Sequence, residues 1–234
     1  MKTILVTGGS GFIGRNLCMR LTSPVEERSG YQLIVLSRNP EKAAKVLPQS
    51  VKAISDLSQL NQPIDIMINL AGEPIADRRW SDKRKATISQ SRIQTTQALY
   101  EYFKQADKPP SVVISGSAIG YYGGGIANNQ PVTEEGAVEP NFSSKLCADW
   151  ESAGQQFEQL GARVCLLRTG IVLGQQGALS KQAQALAFKQ TLIDKLTFEN
   201  AYLKRLKFAA QSERYSAEQR SLLEETLDAD LQAV

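Results

Sequence analysis

Three glycines stand at a spacing that could do chemistry near the start of the chain: Gly8, Gly11 and Gly14, in Lys2-Thr3-Ile4-Leu5-Val6-Thr7-Gly8-Gly9-Ser10-Gly11-Phe12-Ile13-Gly14. An apolar strand pattern runs into them and a helix pattern leaves them. A helix that starts at such a turn points its free N–H groups, with those of Phe12 and Ile13 among them, at whatever lies beyond the strand end. Those groups and the helix dipole suit a pyrophosphate. Gly8 permits the tight turn, Gly11 lets the backbone approach phosphates, and Gly14 lets the helix pack closely on the strand. The chemistry this predicts is dinucleotide binding; a purely structural turn is the alternative.

Further chemistry-bearing residues recur where other strand patterns end. After Gln32–Leu36 come Ser37 and Arg38. A protein selective for NAD usually carries Asp or Glu there to accept the ribose 2′-hydroxyl. An arginine matches a 2′-phosphate by charge and by its forked donors, and Ser37 can add a hydroxyl donor. NADP is therefore expected over NAD, unless Arg38 is only a solvated surface charge. Asp56-Leu57 is placed to meet the adenine edge. Leu70, Ala71 and Gly72 follow the next strand, small enough for backbone to pass close to a flat ligand. Ser117, Tyr121 and Tyr122 follow the fifth and offer a hydroxyl and two phenols to the same cleft; each has a bland alternative, as a turn cap or a packed ring with a wet hydroxyl. Arg92, on a helix, reaches the cofactor or a substrate, or is a solvated helix charge. Leu173 belongs to a wall for the nicotinamide.

The elements that must position these residues alternate. Strand patterns lie at Thr3–Thr7, Gln32–Leu36, Ile64–Leu70, Ser111–Ser115 and Arg163–Arg168, with a short one at Val51–Ile54. Helix patterns start near Phe12, Pro40, Asp82 and Ser144. Near-continuous apolar strands separated by helices predict an α/β fold, a Rossmann-like, doubly wound parallel sheet with ligands at the C-terminal strand ends. The 234 residues fit one domain, or one domain with an appendage, and 42% hydrophobic content supplies a core. A net charge of +3 is too small to argue for nucleic acid. The three cysteines have no metal-type spacing and histidine is absent, which argues against a zinc site and excludes histidine acid–base catalysis. Without a signal or a membrane-length apolar run, the cytoplasm is the expected location.

With these residues assembled, residues 1–181 resemble the extended short-chain dehydrogenase/reductase superfamily, and within it the epimerase family of NADP-binding proteins. The resemblance rests on the glycine turn, Leu36-Ser37-Arg38, Asn69-Leu70-Ala71-Gly72-Glu73, Arg78-Arg79-Trp80-Ser81, Ser91-Arg92, Gly120-Tyr121-Tyr122-Gly123, Trp150-Glu151 and Arg168-Thr169-Gly170-Ile171-Val172-Leu173-Gly174. It implies the fold, an NADP cofactor and a small-molecule substrate, without naming the reaction. The superfamily's usual Tyr-x-x-x-Lys is missing from its expected stretch. Ser143 stands where the tyrosine belongs and Cys147 where the lysine belongs. Lys145 is two positions early, and reaches a ribose only if its helix starts late. Ser117, Tyr121 and Tyr122 are the proposed substitutes.

From Gln182 onward glycine and proline vanish, and Leu186, Ile193 and Asn200 fall at heptad-like positions. A helical tail over 182–234 is expected in place of the family's substrate domain. Leu196 to Phe208 with Gln211-Ser212-Glu213-Arg214 resembles the N-terminal leucine-zipper region of insertion-sequence transposases over about residues 184–234, which implies a fusion near Lys181; a helical C-terminus evolved within the lineage is the alternative. The tail helices either fold back over the uncovered strand ends or, with Asn200 at a heptad core position, form a homodimer. Three functions stand open: an NADP-dependent oxidoreductase or epimerase, a non-catalytic dinucleotide-binding remnant or sensor, and a transposon-derived dimerisation or DNA-binding product.

Overall fold

In a computed structural model of the chain, the described residues are 1–23, 30–75, 78–123 and 132–172. By its contacts the chain divides into Met1–Val172 and Leu173–Val234. The expected tail, the boundary near 181 and Leu173 lie outside the described residues.

The first unit is built on six parallel strands: β1 (Lys2–Thr7), β2 (Tyr31–Leu36), β3 (Lys52–Ile54), β4 (Ile66–Asn69), β5 (Val112–Ala118) and β6 (Arg163–Thr169). Their order in the sheet is β3-β2-β1-β4-β5-β6. The chain starts in the middle, builds outward to one edge, then returns across β1 to build the other. The switch point therefore lies between β1 and β4, with all strand ends on one side. α-Helices make four of the five crossovers, α1 (Phe12–Thr22), α2 (Pro40–Ala44), α3 (Asp82–Lys104) and α4 (Phe142–Gln155), and a 3₁₀ turn at Leu57–Gln59 lies in the link from β3 to β4.

Both faces of the sheet are covered, which is why the strands read as apolar runs rather than alternations. One core layer gathers Leu5, Ile34, Met67, Val113 and Phe157 with Leu99, Tyr100 and Phe103 of α3. The other gathers Ile4, Val6, Leu33, Val35 and Ile68 with Cys18 of α1. Burial raises the Cys18 thiol to about 11, so it behaves as a small apolar group. Helix starts follow local chemistry: Ser81 accepts from the Arg84 N–H at 3.3 Å to open α3, and Asn141 accepts from the Ser144 N–H at 3.0 Å to open α4. Because α4 begins at Phe142, it does not start late. Lys145 is exposed and pairs with Asp149 at 3.5 Å, one helical turn on, so the expected reach to a ribose is not what the helix provides.

Candidate functional site

The turn after β1 is fixed by two close approaches. Gly8 has φ +67°, and a Cβ there would stand 2.4 Å from the Leu70 carbonyl oxygen. A Cβ on Gly14 would stand 2.3 Å from the Gly8 carbonyl oxygen and 2.6 Å from the Gly9 Cα. Both clashes are with backbone, which cannot rotate away. Gly11 is the residue before the helix, and its N–H donates to the Gly8 carbonyl at 3.0 Å. The N–H groups of Phe12 and Ile13, the first two helical residues, have no acceptor within their own helix. Ile13 is exposed and Phe12 half-buried beside them.

A polar network beneath the strand ends sets the loop after β4. The Thr7 hydroxyl donates to Asn69 Oδ1 at 2.6 Å, and Asn69 Nδ2 donates to the Thr96 hydroxyl at 2.8 Å. The Leu70 N–H donates to the Thr7 carbonyl at 3.2 Å, and the Ala71 N–H to the Thr7 hydroxyl at 3.2 Å. Asn69 and Thr96 are fully buried, so each bond is needed to satisfy its partners. Beyond Ala71, the guanidinium of Arg92 lies directly beneath Gly72.

Arg92 is 7% exposed, so it is not a solvated helix charge. It occupies the buried stripe of α3, with Ile88, Thr96, Leu99 and Phe103 at helical spacing. Its Nη2 donates to the Glu73 carbonyl at 3.0 Å and its Nη1 to the Ile88 carbonyl at 3.1 Å. The guanidinium lies 5.2 Å from the centre of the Trp150 ring. Burial pulls its pKa below the usual arginine range, with the nearby Cys147 and Glu73 opposing. Arg92 thus holds the Gly72-Glu73 backbone from below.

At the end of β2, the Ser37 hydroxyl bonds locally, donating to the Asn39 carbonyl at 3.2 Å. Arg38 is 92% exposed along its side chain and touches Glu73, with Nη2 3.2 Å from Oε1. Glu73 also accepts from Arg84 Nη1, 3.4 Å from Oε2. Burial alone would raise the Glu73 carboxyl; the hydrogen bonds and charges of Arg38 and Arg84 more than offset it and hold it below the usual range. Asp56, expected at the adenine edge, caps the 3₁₀ turn over Leu57–Gln59 by accepting from the Ser58 N–H at 2.8 Å.

Ser117, near the end of β5, and Tyr121 and Tyr122, in the turn after it, are brought together by a pair that the sequence shows only as motif fragments. Arg168 of β6 and Glu151 of α4 form a two-pronged ion pair, Nε to Oε1 and Nη2 to Oε2, both at 2.8 Å. Their side chains are 19% and 6% exposed. The Ser117 hydroxyl donates to Glu151 Oε1 at 2.5 Å, and Arg168 Nη1 donates to the Tyr122 hydroxyl at 2.8 Å. The Arg168 guanidinium lies 3.5 Å from the centre of the Tyr121 ring. Glu151 raises the Arg168 pKa well above its ordinary value, with burial opposing and Tyr122 reinforcing. Ser117 is buried, whereas Tyr121 and Tyr122 are half-buried. Tyr122 lines an open cleft of about 490 Å³ with Glu134, Leu166, Leu167, Arg168 and Thr169.

Bond direction separates these hydroxyls. A carboxylate only accepts, so the Ser117 proton is committed to Glu151 and its lone pairs remain. A guanidinium only donates, so the Tyr122 oxygen accepts and its proton is free to be given elsewhere. Cys147, in the register of the absent lysine, is buried, and that burial pushes its thiol up. The one Tyr-x-x-x-Lys in the chain, Tyr100 to Lys104 on α3, is spent elsewhere: Tyr100 packs against Phe157 and its hydroxyl donates to Gln159 at 3.0 Å. Among the described residues there is no cluster of metal-ligating side chains, and no helix long and apolar enough to cross a membrane.

Comparison with known proteins agrees with the fold. An epimerase family protein of Staphylococcus aureus (strain bovine RF122) is 37% identical over 186 residues, covering 76% of this chain and 57% of the relative. The chain therefore spans a little over half the length of that relative. A human epimerase family protein solved with NADPH superposes with a TM-score of 0.62 at 28% identity, over 78% of this chain and 58% of that one. UDP-glucuronic acid 4-epimerase from Bacillus cereus, solved with NAD, gives a TM-score of 0.59 at 25% identity, over 74% and 57%. The model of the NAD dependent epimerase/dehydratase family matches residues 4–195, and the chain belongs to that family.

Proposed function

We propose that this chain is an NADP-preferring, oxidoreductase- or epimerase-type protein acting at the C-terminal ends of its strands. The observation that carries the cofactor reading is the cradle at Gly8 and Gly14, where added Cβ atoms would meet backbone at 2.4 and 2.3 Å. Such a turn lets α1 begin tight against the end of β1 and the β4 loop, and it faces the start of α1 outward, as a pyrophosphate needs. The residues present therefore fit a dinucleotide. Gly8, Gly11, Phe12, Ile13 and Gly14 would hold the pyrophosphate. Ser37 and Arg38 would hold the adenosine side, with Leu70, Ala71 and Gly72 beneath it and Arg92 fixing that loop. Leu173 remains a proposed wall residue.

A nicotinamide cofactor supplies hydride transfer when bound. This chain's own contribution is proton handling and orientation. Tyr122 is the proposed proton donor, because its hydroxyl accepts from Arg168 and lines the open cleft. Tyr121, stacked on the same guanidinium, shapes that cleft. Ser117, with its proton on Glu151, can only accept from a substrate hydroxyl. The family's epimerases and dehydratases make a small hydroxylated or sugar-nucleotide-like molecule the proposed substrate class.

The exposed Arg38 supports preference for a 2′-phosphate, and the human relative solved with NADPH is in keeping with it. Arg38→Ala should weaken NADPH by about tenfold or more, the size of one charge-assisted bond to phosphate, and leave NADH within about twofold. Fluorescence titration of both cofactors reads this; equal losses for the two would refute the role of Arg38.

A further inference from the structure

We propose that Glu73 is a specificity-determining residue that parks Arg38 in the free protein and yields it to the 2′-phosphate of an incoming dinucleotide; this rests on the NADP reading above. Arg38 follows β2 and Glu73 lies in the loop after β4, and β1 runs between those strands. Their contact at 3.2 Å therefore bridges the end of β1, where the glycine turn begins.

The two partners are unequally held. The Glu73 backbone is pinned on both sides, its N–H donating to the Ser91 hydroxyl at 3.0 Å and its carbonyl accepting from Arg92 at 3.0 Å. Its carboxylate has a second cation, Arg84, which is 16% exposed and further fixed by Nη2 donating to the Pro74 carbonyl at 2.5 Å. The Arg38 side chain, 92% exposed, has no comparable packing and turns at little cost. When Arg38 leaves, Glu73 keeps Arg84, so no buried charge is stranded. A phosphate monoester carries more charge than a carboxylate and accepts a guanidinium through two oxygens, so it wins the exchange. The NADH ribose hydroxyl offers no such charge, and Arg38 stays parked. Glu73 thus lowers NADPH affinity slightly, by holding Arg38 and by adding a negative charge near the phosphate.

The test is a calorimetric titration of NADPH and NADH into the wild type, Glu73→Gln, Arg38→Ala and the double variant. Glu73→Gln keeps the shape and removes the charge. It should tighten NADPH about twofold to fivefold, the size expected of an exposed ion pair, and leave NADH unchanged; in the Arg38→Ala background the gain should shrink. Glu73→Asp, which keeps a charge beside Arg84 but shortens the reach to Arg38, should give a smaller gain in the same direction. An unchanged or weaker NADPH affinity in Glu73→Gln overturns the parking role while wild-type preference and its loss in Arg38→Ala still stand. A wild type without NADPH preference overturns both this and the 2′-phosphate reading.

Discussion

Alanine at Gly14 should abolish measurable dinucleotide binding and lower the stability of the first unit by about 2–4 kcal/mol, above the usual cost of overpacking because the obstacle is backbone. The added methyl would stand 2.3 Å from the Gly8 carbonyl oxygen and 2.6 Å from the Gly9 Cα. Relief requires α1 to slide outward or the turn to open, and either movement shifts the Phe12 and Ile13 N–H groups from where the strand end aims them. Gly30 is the control: a Cβ there meets nothing within 4 Å, so Gly30→Ala should be neutral within about 0.5 kcal/mol and leave binding intact. Urea denaturation and an NADPH titration on the same samples read both effects. If Gly14→Ala melted early yet bound NADPH normally, the turn would be a packing device and not a ligand cradle.

The second large effect falls at Glu151. Its carboxylate is 6% exposed and serves Arg168 through two bonds of 2.8 Å and Ser117 through one of 2.5 Å. Glu151→Ala would leave a largely buried guanidinium with only the Tyr122 hydroxyl and the Glu134 carbonyl. A loss of about 3 kcal/mol is expected, the low end for breaking a buried pair because Arg168 retains those acceptors and some solvent. For a domain of this size that is roughly 6–12 °C in Tm. Glu151→Gln, which keeps one acceptor oxygen, should cost about half as much. The paired replacement Glu151→Leu with Arg168→Met should recover most of the loss, since it strands no charge. Thermal melts of Glu151→Ala, Glu151→Gln, the paired replacement and its two single changes, Glu151→Leu and Arg168→Met, decide this. If the paired replacement loses as much as the single changes added together, the two residues are not coupled.

The strand-and-helix frame was legible in the sequence because both faces of this sheet are buried. Runs such as Ile4-Leu5-Val6 and Leu33-Ile34-Val35 are apolar at every position, and the glycines punctuate them. Strand ends were legible for the same reason, so most of the proposed ligand-contacting residues were found by position along the chain. What sequence could not show was which charges meet. Arg92 read equally as solvent-facing because its helix has mixed polarity; only the packing of α3 under the β4 loop puts its guanidinium on the buried stripe. Glu151 and Arg168 sit in different elements, seventeen positions apart, and their pairing depends on α4 crossing over β5 to reach β6. A signal existed. Arg168 is the charge that closes the apolar run Val164-Cys165-Leu166-Leu167, and Glu151 shares a helix face with Cys147 and Gly154. Two charges in otherwise apolar surroundings imply each other, because neither is stable there alone.

If the proposed function is right, the strand ends hold a nicotinamide dinucleotide, with NADPH preferred. The most direct measurement is a titration of the unmodified protein with NADPH and, separately, NADH, followed by the change in nicotinamide fluorescence at physiological ionic strength. Saturable one-to-one binding of NADPH in the micromolar range, about tenfold or more tighter than NADH, is expected. Absence of binding by either cofactor up to about 1 mM, an interaction weaker than roughly 4 kcal/mol, would contradict it.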